Sequence, residues 1–289
     1  HLSPPLLGEG EIAERAYLAT QRAYLRMGRI VLLGLTLMLI AQIFGVEMGN
    51  VDVSEGAHPA SVLVTLMAYG LIIPAVLGVI WVLHNRPPLS VFGPPKALIA
   101  HAIVVVLSLV VLNVVIEILP PWGYGVDLIP NLALGAWVAL LPLSLLAILI
   151  QTGAEEVLFR GYMQQQLGAR FRSPLVWMMV PSLLFGLLHY DAASQGANAW
   201  YITIWAVLFG MAAADLTARS GSLGPAIALH FVNNVLALLI VTLPDSWHGL
   251  ALYVTPFGSD DIEQTRPWLW VDLAFLGVSW LCARLAIQR

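Results

Sequence analysis

The sequence predicts an all-α polytopic membrane protein, a bundle of eight transmembrane helices preceded by an N-terminal amphipathic helix. Three observations predict it. Of the 289 residues, 59% are hydrophobic and only 10% are charged, against about 25% charged in an ordinary soluble domain, and the mean hydropathy is +0.84. Apolar windows recur along the whole chain, seven of them long enough to cross about 30 Å of hydrocarbon at about 1.5 Å per residue and an eighth nearly so. Lys and Arg gather in alternate connections, as the positive-inside rule asks of a chain threaded back and forth.

Taken in order, residues 1–8 carry Pro4 and Pro5 and read as a tail, and Ile12, Ala16, Leu18, Ala19, Ala23 and Leu25 then repeat at amphipathic spacing. Residues 1–29 are therefore the tail and an interfacial helix lying on the membrane. The expected spans are 30–46, 61–83, 97–119, 132–158, 174–190, 198–218, 222–243 and 268–287. The segment RPPLSVFGPPK, from Arg86 to Lys96, is dense in Pro and Gly and marks a structured turn between the second and third. Small residues from Gly224 to Ala228 open the seventh and let helices approach closely. Trp81, Trp122, Trp200, Trp247, Trp268 and Trp270 sit at span ends, where an amphipathic ring anchors in the headgroup layer.

Threading these spans puts Arg15, Arg22, Arg26, Arg29, Arg86, Lys96, Arg160, Arg170, Arg172, Arg219, Arg284 and Arg289 on one face. Arg266 falls on the other, among Glu47, Asp52, Glu55, Glu117, Asp127, Asp191, Asp245, Asp260, Asp261 and Glu263. Both termini are then cytoplasmic, in a multi-pass protein of the cytoplasmic (inner) membrane. The longest polar connection, about 244–267, is too short for a soluble domain, so residues 30–289 form one membrane-embedded unit. The net charge of −4 is segregated by face rather than pooled, which excludes a nucleic-acid partner. The single cysteine, Cys282, excludes an internal disulfide and a thiolate metal cluster. Glu9, Glu11, Glu14 and Arg15 stand where a signal peptide would be apolar, and the start at His1 reads as a trimmed N-terminus.

Against this apolar background a few polar groups stand out. An ionised carboxylate at bilayer depth costs roughly 2.5–3.5 kcal/mol even on lenient scales, so such groups usually face a wet cavity and carry function. Glu155 and Glu156 are consecutive, and on a helix they point about 100° apart, so their roles differ. Glu156 and Arg160 have the i, i+4 spacing of an intrahelical ion pair, leaving Glu155 to address a pocket. The plainer alternative is that the helix has left the membrane by residue 155.

His189 lies about as far after the turn joining the fourth and fifth spans as Glu155 lies before it, roughly 20 Å at 1.5 Å per residue. A lone helical histidine is more often a satisfied core residue, but one level with a paired carboxylate is a candidate acid/base partner. Phe185, a turn earlier, would pack beneath it. His230 and Asn234 share a face one turn apart, as two convergent donors for an oxyanion or as plain interhelical glue. Asp191, Ser194 and Gln195, just past His189, call for protein cover or water at that depth.

The ordered set E-E-x-x-x-R (Glu155, Glu156, Arg160), F-x-x-x-H (Phe185, His189) and H-x-x-x-N (His230, Asn234) resembles the CPBP family of intramembrane glutamic endopeptidases, which includes CAAX prenyl proteases and bacteriocin-processing members. The run RSGSLGPAIALHFVNN, Arg219 to Asn234, is similar to the family's approach to its last motif, and the resemblance covers about residues 150–240. It implies an eight-helix bundle with a cytoplasm-facing cavity, and a catalytic core at 132–243. It also implies peptide hydrolysis by activated water without a cofactor or metal. Glu155 would be the base, with His189 orienting the water or handing a proton to the leaving amine. His230 and Asn234 would stabilise the oxyanion, supported by Glu156, Arg160 and Phe185. The partners would be membrane lipid and a protein or peptide substrate, prenylated or not, while the oligomeric state stays open. Two histidines and a glutamate also make a catalytic zinc set, although H-E-x-x-H is absent and an Asn amide is an unusual zinc ligand. A noncatalytic transporter or scaffold with intramembrane charges is the other alternative.

Overall fold

A computed structural model describes residues 56–120 and 126–288. The expected interfacial helix and the span at 30–46 lie outside the described residues. The rest is mostly helical. Helix α1 runs over Pro59–His84, α3 over Leu134–Gly168, α4 over Leu175–Leu187 and α6 over Gly224–Ile240. Between them stand α2 at Pro95–Ile118 and α5 at Ala199–Ser220, and α7 at Ile262–Ala286 closes the chain.

Among the described residues five helices are long and apolar enough to cross a membrane: α1, α3, α7, and α2 and α5 counted with the short turns that lead into them. The chain is a multi-pass membrane protein. Helices α4 and α6 are shorter than the expected fifth and seventh spans, and each stops for a local reason. After Leu187 the backbone turns at Leu188 and His189, whose N–H groups bond to the carbonyls of Leu184 and Gly186. After Ile240 it becomes extended and enters a small sheet. That sheet joins β1 (Ile129–Pro130), β2 (Val241–Thr242) and β3 (Tyr253–Val254) in the order β1-β3-β2, antiparallel between β1 and β3 and parallel between β3 and β2.

Two helices exceed their expected bounds. Helix α3 runs past the apolar window at 132–158 to Gly168, with Arg160 and Gln164 buried among neighbours. Helix α7 starts at Ile262 rather than 268, because the Asp261 side chain accepts from the Glu263 and Gln264 N–H groups and caps it. The Pro-rich connection forms a tight helical turn over Pro88–Phe92, held by Arg86 donating to the Ser90 hydroxyl and carbonyl and to Gln165 Oε1.

Helix α5 is the axis of the bundle, with half of its apolar window buried. Its Ala206, Phe209, Ala212 and Leu216 meet Val105 and Leu109 of α2, Phe159 of α3, Phe185 of α4, Ala228 and Leu229 of α6 and Leu276 of α7 in one core. Small residues set the spacing. A methyl at Gly224 would collide with the Leu98 carbonyl, so α6 and α2 touch backbone to backbone there. A methyl at Gly210 would lie 2.9 Å from Ser182 Cβ and 3.1 Å from Arg160 Nη2, so α5 leaves room for both.

The polar stretch after α4 is satisfied by protein. Asp191 accepts from the Ala193 and Ser194 N–H groups and from the Ser194 hydroxyl, bonds that hold its carboxyl below the usual range. Gln195 Nε2 donates to the His189 carbonyl, and the buried Asn198 donates to the carbonyls of Ser259 and Asp261. Trp81, Trp200 and Trp270 are exposed as anchors should be, whereas Trp247 packs on the cluster of Val62, Leu66 and Leu250. Trp122 lies outside the described residues.

Candidate active site

The site is built where α3 and α6 run side by side. Because the two helices are antiparallel, residues four apart on one face their counterparts four apart on the other. Glu155 and Glu156 of α3 stand level with His230 of α6, and Gln151, a turn earlier on α3, stands level with Asn234, a turn later on α6.

Glu156 is fully buried, and one of its oxygens serves two donors: Oε1 accepts from Arg160 Nη1 at 3.0 Å and from His230 Nδ1 at 2.8 Å. The i, i+4 pair expected from spacing is present. Arg160 is itself only 1% exposed, with its guanidinium 4.8 Å from the Phe185 ring centre and 5.7 Å from that of Phe159. Two charges in so dry a place hold only while both remain, and removing one partner of such a pair typically costs about 3–5 kcal/mol. Immediately after Glu156 the helix widens into a π-helical stretch, Val157–Gln164, a local departure from α geometry that recurs at functional sites.

Glu155 differs from its neighbour. Its side chain is 12% exposed, and Oε2 lies 3.6 Å from His230 Nε2, beyond hydrogen-bond length. That oxygen has no hydrogen-bond partner among the described residues. The two carboxylates thus reach the imidazole from opposite ring nitrogens, as side chains about 100° apart on one helix can. Since Glu156 Oε1 is an acceptor, Nδ1 of His230 carries the hydrogen, and in the neutral ring Nε2 is then a lone pair on the side of Glu155.

His189 follows α4 in an exposed turn, and its Nδ1 lies 2.8 Å from the Phe185 carbonyl. That bond fixes the tautomer and leaves Nε2 as the acceptor. Phe185 packs beneath it as expected, with ring centres 4.6 Å apart, and the same ring meets His230 at 5.8 Å, Phe209 at 6.0 Å and Phe159 at 5.3 Å. The structure therefore gathers Glu155, Glu156, Arg160, His230 and Phe185 in direct contact. His189 joins them through the Phe185 ring.

Asn234, a turn beyond His230 on α6, bonds to amides. Asn234 Nδ2 donates to Gln151 Oε1 at 2.9 Å, and Asn233 Nδ2 donates to Asn234 Oδ1 at 3.2 Å. Gln151 is buried and was not singled out in the sequence, although a lone amide inside an apolar run, one turn before Glu155, is a readable signal.

Comparison with known proteins adds a family to this geometry. Residues 137–236 match the family described as Type II CAAX prenyl endopeptidase Rce1-like. This interval holds all seven residues of the three motifs and Gln151. A relative from Bacillus subtilis (strain 168), described as uncharacterized protein YyaK, is 31% identical over 110 residues, which is 38% of this chain. The chain spans 37% of that relative's length. No solved structure matches the chain. The stretch that is similar to Rce1-like type II CAAX prenyl endopeptidases, residues 137–236, is the one that holds the buried Glu156–Arg160 pair and the histidine between the two glutamates.

Proposed function

We propose that this chain is an intramembrane endopeptidase that hydrolyses a peptide bond of a membrane-associated protein or peptide with a water activated by Glu155. The observation that carries the reading is the asymmetry of the glutamates: Glu156 is fully buried with Oε1 held by Arg160 and His230, while Glu155 is 12% exposed and makes no such bond, with Oε2 beside His230 Nε2. Water is a poor nucleophile, and a positioned base next to it is the minimum that amide hydrolysis needs.

In this mechanism Glu155 takes a proton from water as the water oxygen bonds to the scissile carbonyl carbon. The C–N bond then breaks, and the amine leaves with that proton. His189, its Nδ1 held by the Phe185 carbonyl, orients the water through Nε2 or passes the proton to the amine. Asn234 supplies an amide N–H to the oxyanion. His230, whose Nδ1 hydrogen is committed to Glu156, serves at Nε2 as a second proton carrier beside Glu155 rather than as an oxyanion donor. Arg160 and Phe185 keep Glu156, and through it the imidazole, in place.

The wider reading is an eight-helix bundle with 1–29 as an interfacial segment, 30–289 as one domain and 132–243 as its catalytic core. It lies in the cytoplasmic membrane with both termini inside. The similarity of residues 137–236 to type II CAAX prenyl endopeptidases favours a substrate with a C-terminal CAAX sequence, prenylated at its cysteine. The test is a panel of quenched peptides, prenylated and unmodified, offered to the detergent-purified chain and to its Glu155→Ala form. Cleavage by the first and none by the second supports the proposal, and equal rates sink it.

A further inference from the structure

Gln151 has no role in the mechanism above, yet its position gives it one. It is an uncharged amide buried in the apolar part of α3, one turn before Glu155, and its carbonyl oxygen takes the Asn234 Nδ2 hydrogen at 2.9 Å. Asn234 receives a second bond from its own neighbour, Asn233 Nδ2 to Asn234 Oδ1 at 3.2 Å. The three amides form a chain with one sense, running from Asn233 through Asn234 to Gln151.

That sense matters for the chemistry. A primary amide presents a donor edge and an acceptor edge that differ only in which end faces the reacting group. A free Asn234 side chain could turn its carbonyl toward the oxyanion and repel it. With Oδ1 occupied by Asn233 and one Nδ2 hydrogen occupied by Gln151, both bonds resist that flip, and one N–H hydrogen remains to be given. Gln151 and Glu155 also share a face of α3 at i, i+4, so the residue that holds the donor is one helical turn from the proposed base. Base and donor are thereby referred to the same rigid helix, the condition under which a preorganised donor acts without reorganising.

We infer that Gln151 is a positioning residue for hydrolysis, acting through Asn234 to keep an amide N–H turned toward the oxyanion. This inference rests on the peptidase reading. The test is a double-mutant cycle on the quenched peptide that the chain cleaves best, with Gln151→Met and Asn234→Ala alone and combined. Met matches Gln in length and lack of branching but cannot accept the Asn234 hydrogen. Gln151→Met is expected to lower kcat about 100-fold, the size of a lost or misaimed oxyanion donor, with KM within about threefold of the parent, since the contact is needed in the transition state. In the Asn234→Ala background the same substitution should change kcat by less than about twofold, because its target is gone.

A multiplicative loss in the double variant would mean that Gln151 acts by packing alone, and parent-like kcat in Gln151→Met would mean that it does not act. Asn233→Ala probes the other bond of the same chain and covers the case in which Gln151→Met does not fold. It should lower kcat in the parent and leave it unchanged in Asn234→Ala, and any other pattern counts against the inference. Glu155→Gln is measured alongside. Cleavage by that variant overturns the peptidase reading itself, whereas its inactivity beside a fully active Gln151→Met overturns only the role given to Gln151.

Discussion

His230 Nδ1 lies 2.8 Å from Glu156 Oε1, the same oxygen that accepts Arg160 Nη1 at 3.0 Å. One buried carboxylate oxygen therefore carries two cationic or polar donors from two helices, and the second ring nitrogen of His230 is left on the side of the more open Glu155. Consecutive glutamates in one helix end up in different surroundings, one fully buried and ion-paired and one partly exposed.

The two glutamates should separate experimentally. Glu155→Gln is expected to abolish peptide cleavage while leaving the thermal midpoint in detergent nearly unchanged, because its Oε2 bonds to no protein donor among the described residues. Glu156→Ala leaves Arg160 buried without its partner and should lose about 3–5 kcal/mol of stability as well as activity. Circular-dichroism melts of both variants, read beside their cleavage rates, check the contrast.

Phe185 is expected to behave as part of both the site and the core. Its ring touches Phe159, His189, Phe209, His230 and the Arg160 guanidinium. Truncation in Phe185→Ala should cost about 3–5 kcal/mol through the cavity left behind, and cleavage should fall because both imidazoles lose a wall. A differential-scanning melt showing no destabilisation would contradict this packing.

Hydrolysis by glutamate-activated water needs no metal. Incubation with 1,10-phenanthroline or EDTA is expected to leave cleavage of the quenched peptides unchanged, with full elemental analysis finding no stoichiometric zinc. Loss of activity on chelation, restored by added zinc, would replace the glutamic mechanism with a zinc-dependent one.

The close crossing of α6 on α2 predicts a packing defect remote from the charges. Gly224→Ala forces a methyl against the Leu98 carbonyl, and overpacking of this kind typically costs about 1–3 kcal/mol. Because α6 carries His230 and Asn234, the same change should lower kcat more than it raises KM. Steady-state kinetics on the purified variant measure that split.

Much of this was legible in the residues alone. Apolar runs located the seven helices seen between Pro59 and Ala286, since burying a backbone in lipid leaves helices as the economical solution. Spacing on one helix marked the Glu156–Arg160 pair and the Phe185–His189 stack, because i, i+4 neighbours touch whatever the rest of the chain does. Three ordered motifs carried the family resemblance. What the chain could not state locally was decided by packing between helices distant in sequence. The antiparallel pairing of α3 and α6 brought His230 to Glu156 across 74 residues and Asn234 to Gln151. Packing between helices also keeps Arg160 and Gln164 buried, Gln164 by donating to the Ala214 carbonyl of α5. Hydrophobic periodicity reports which face of a helix avoids water. Which two polar faces meet depends on register between helices, and that is set by close contacts such as Gly224 on Leu98, which no single segment contains.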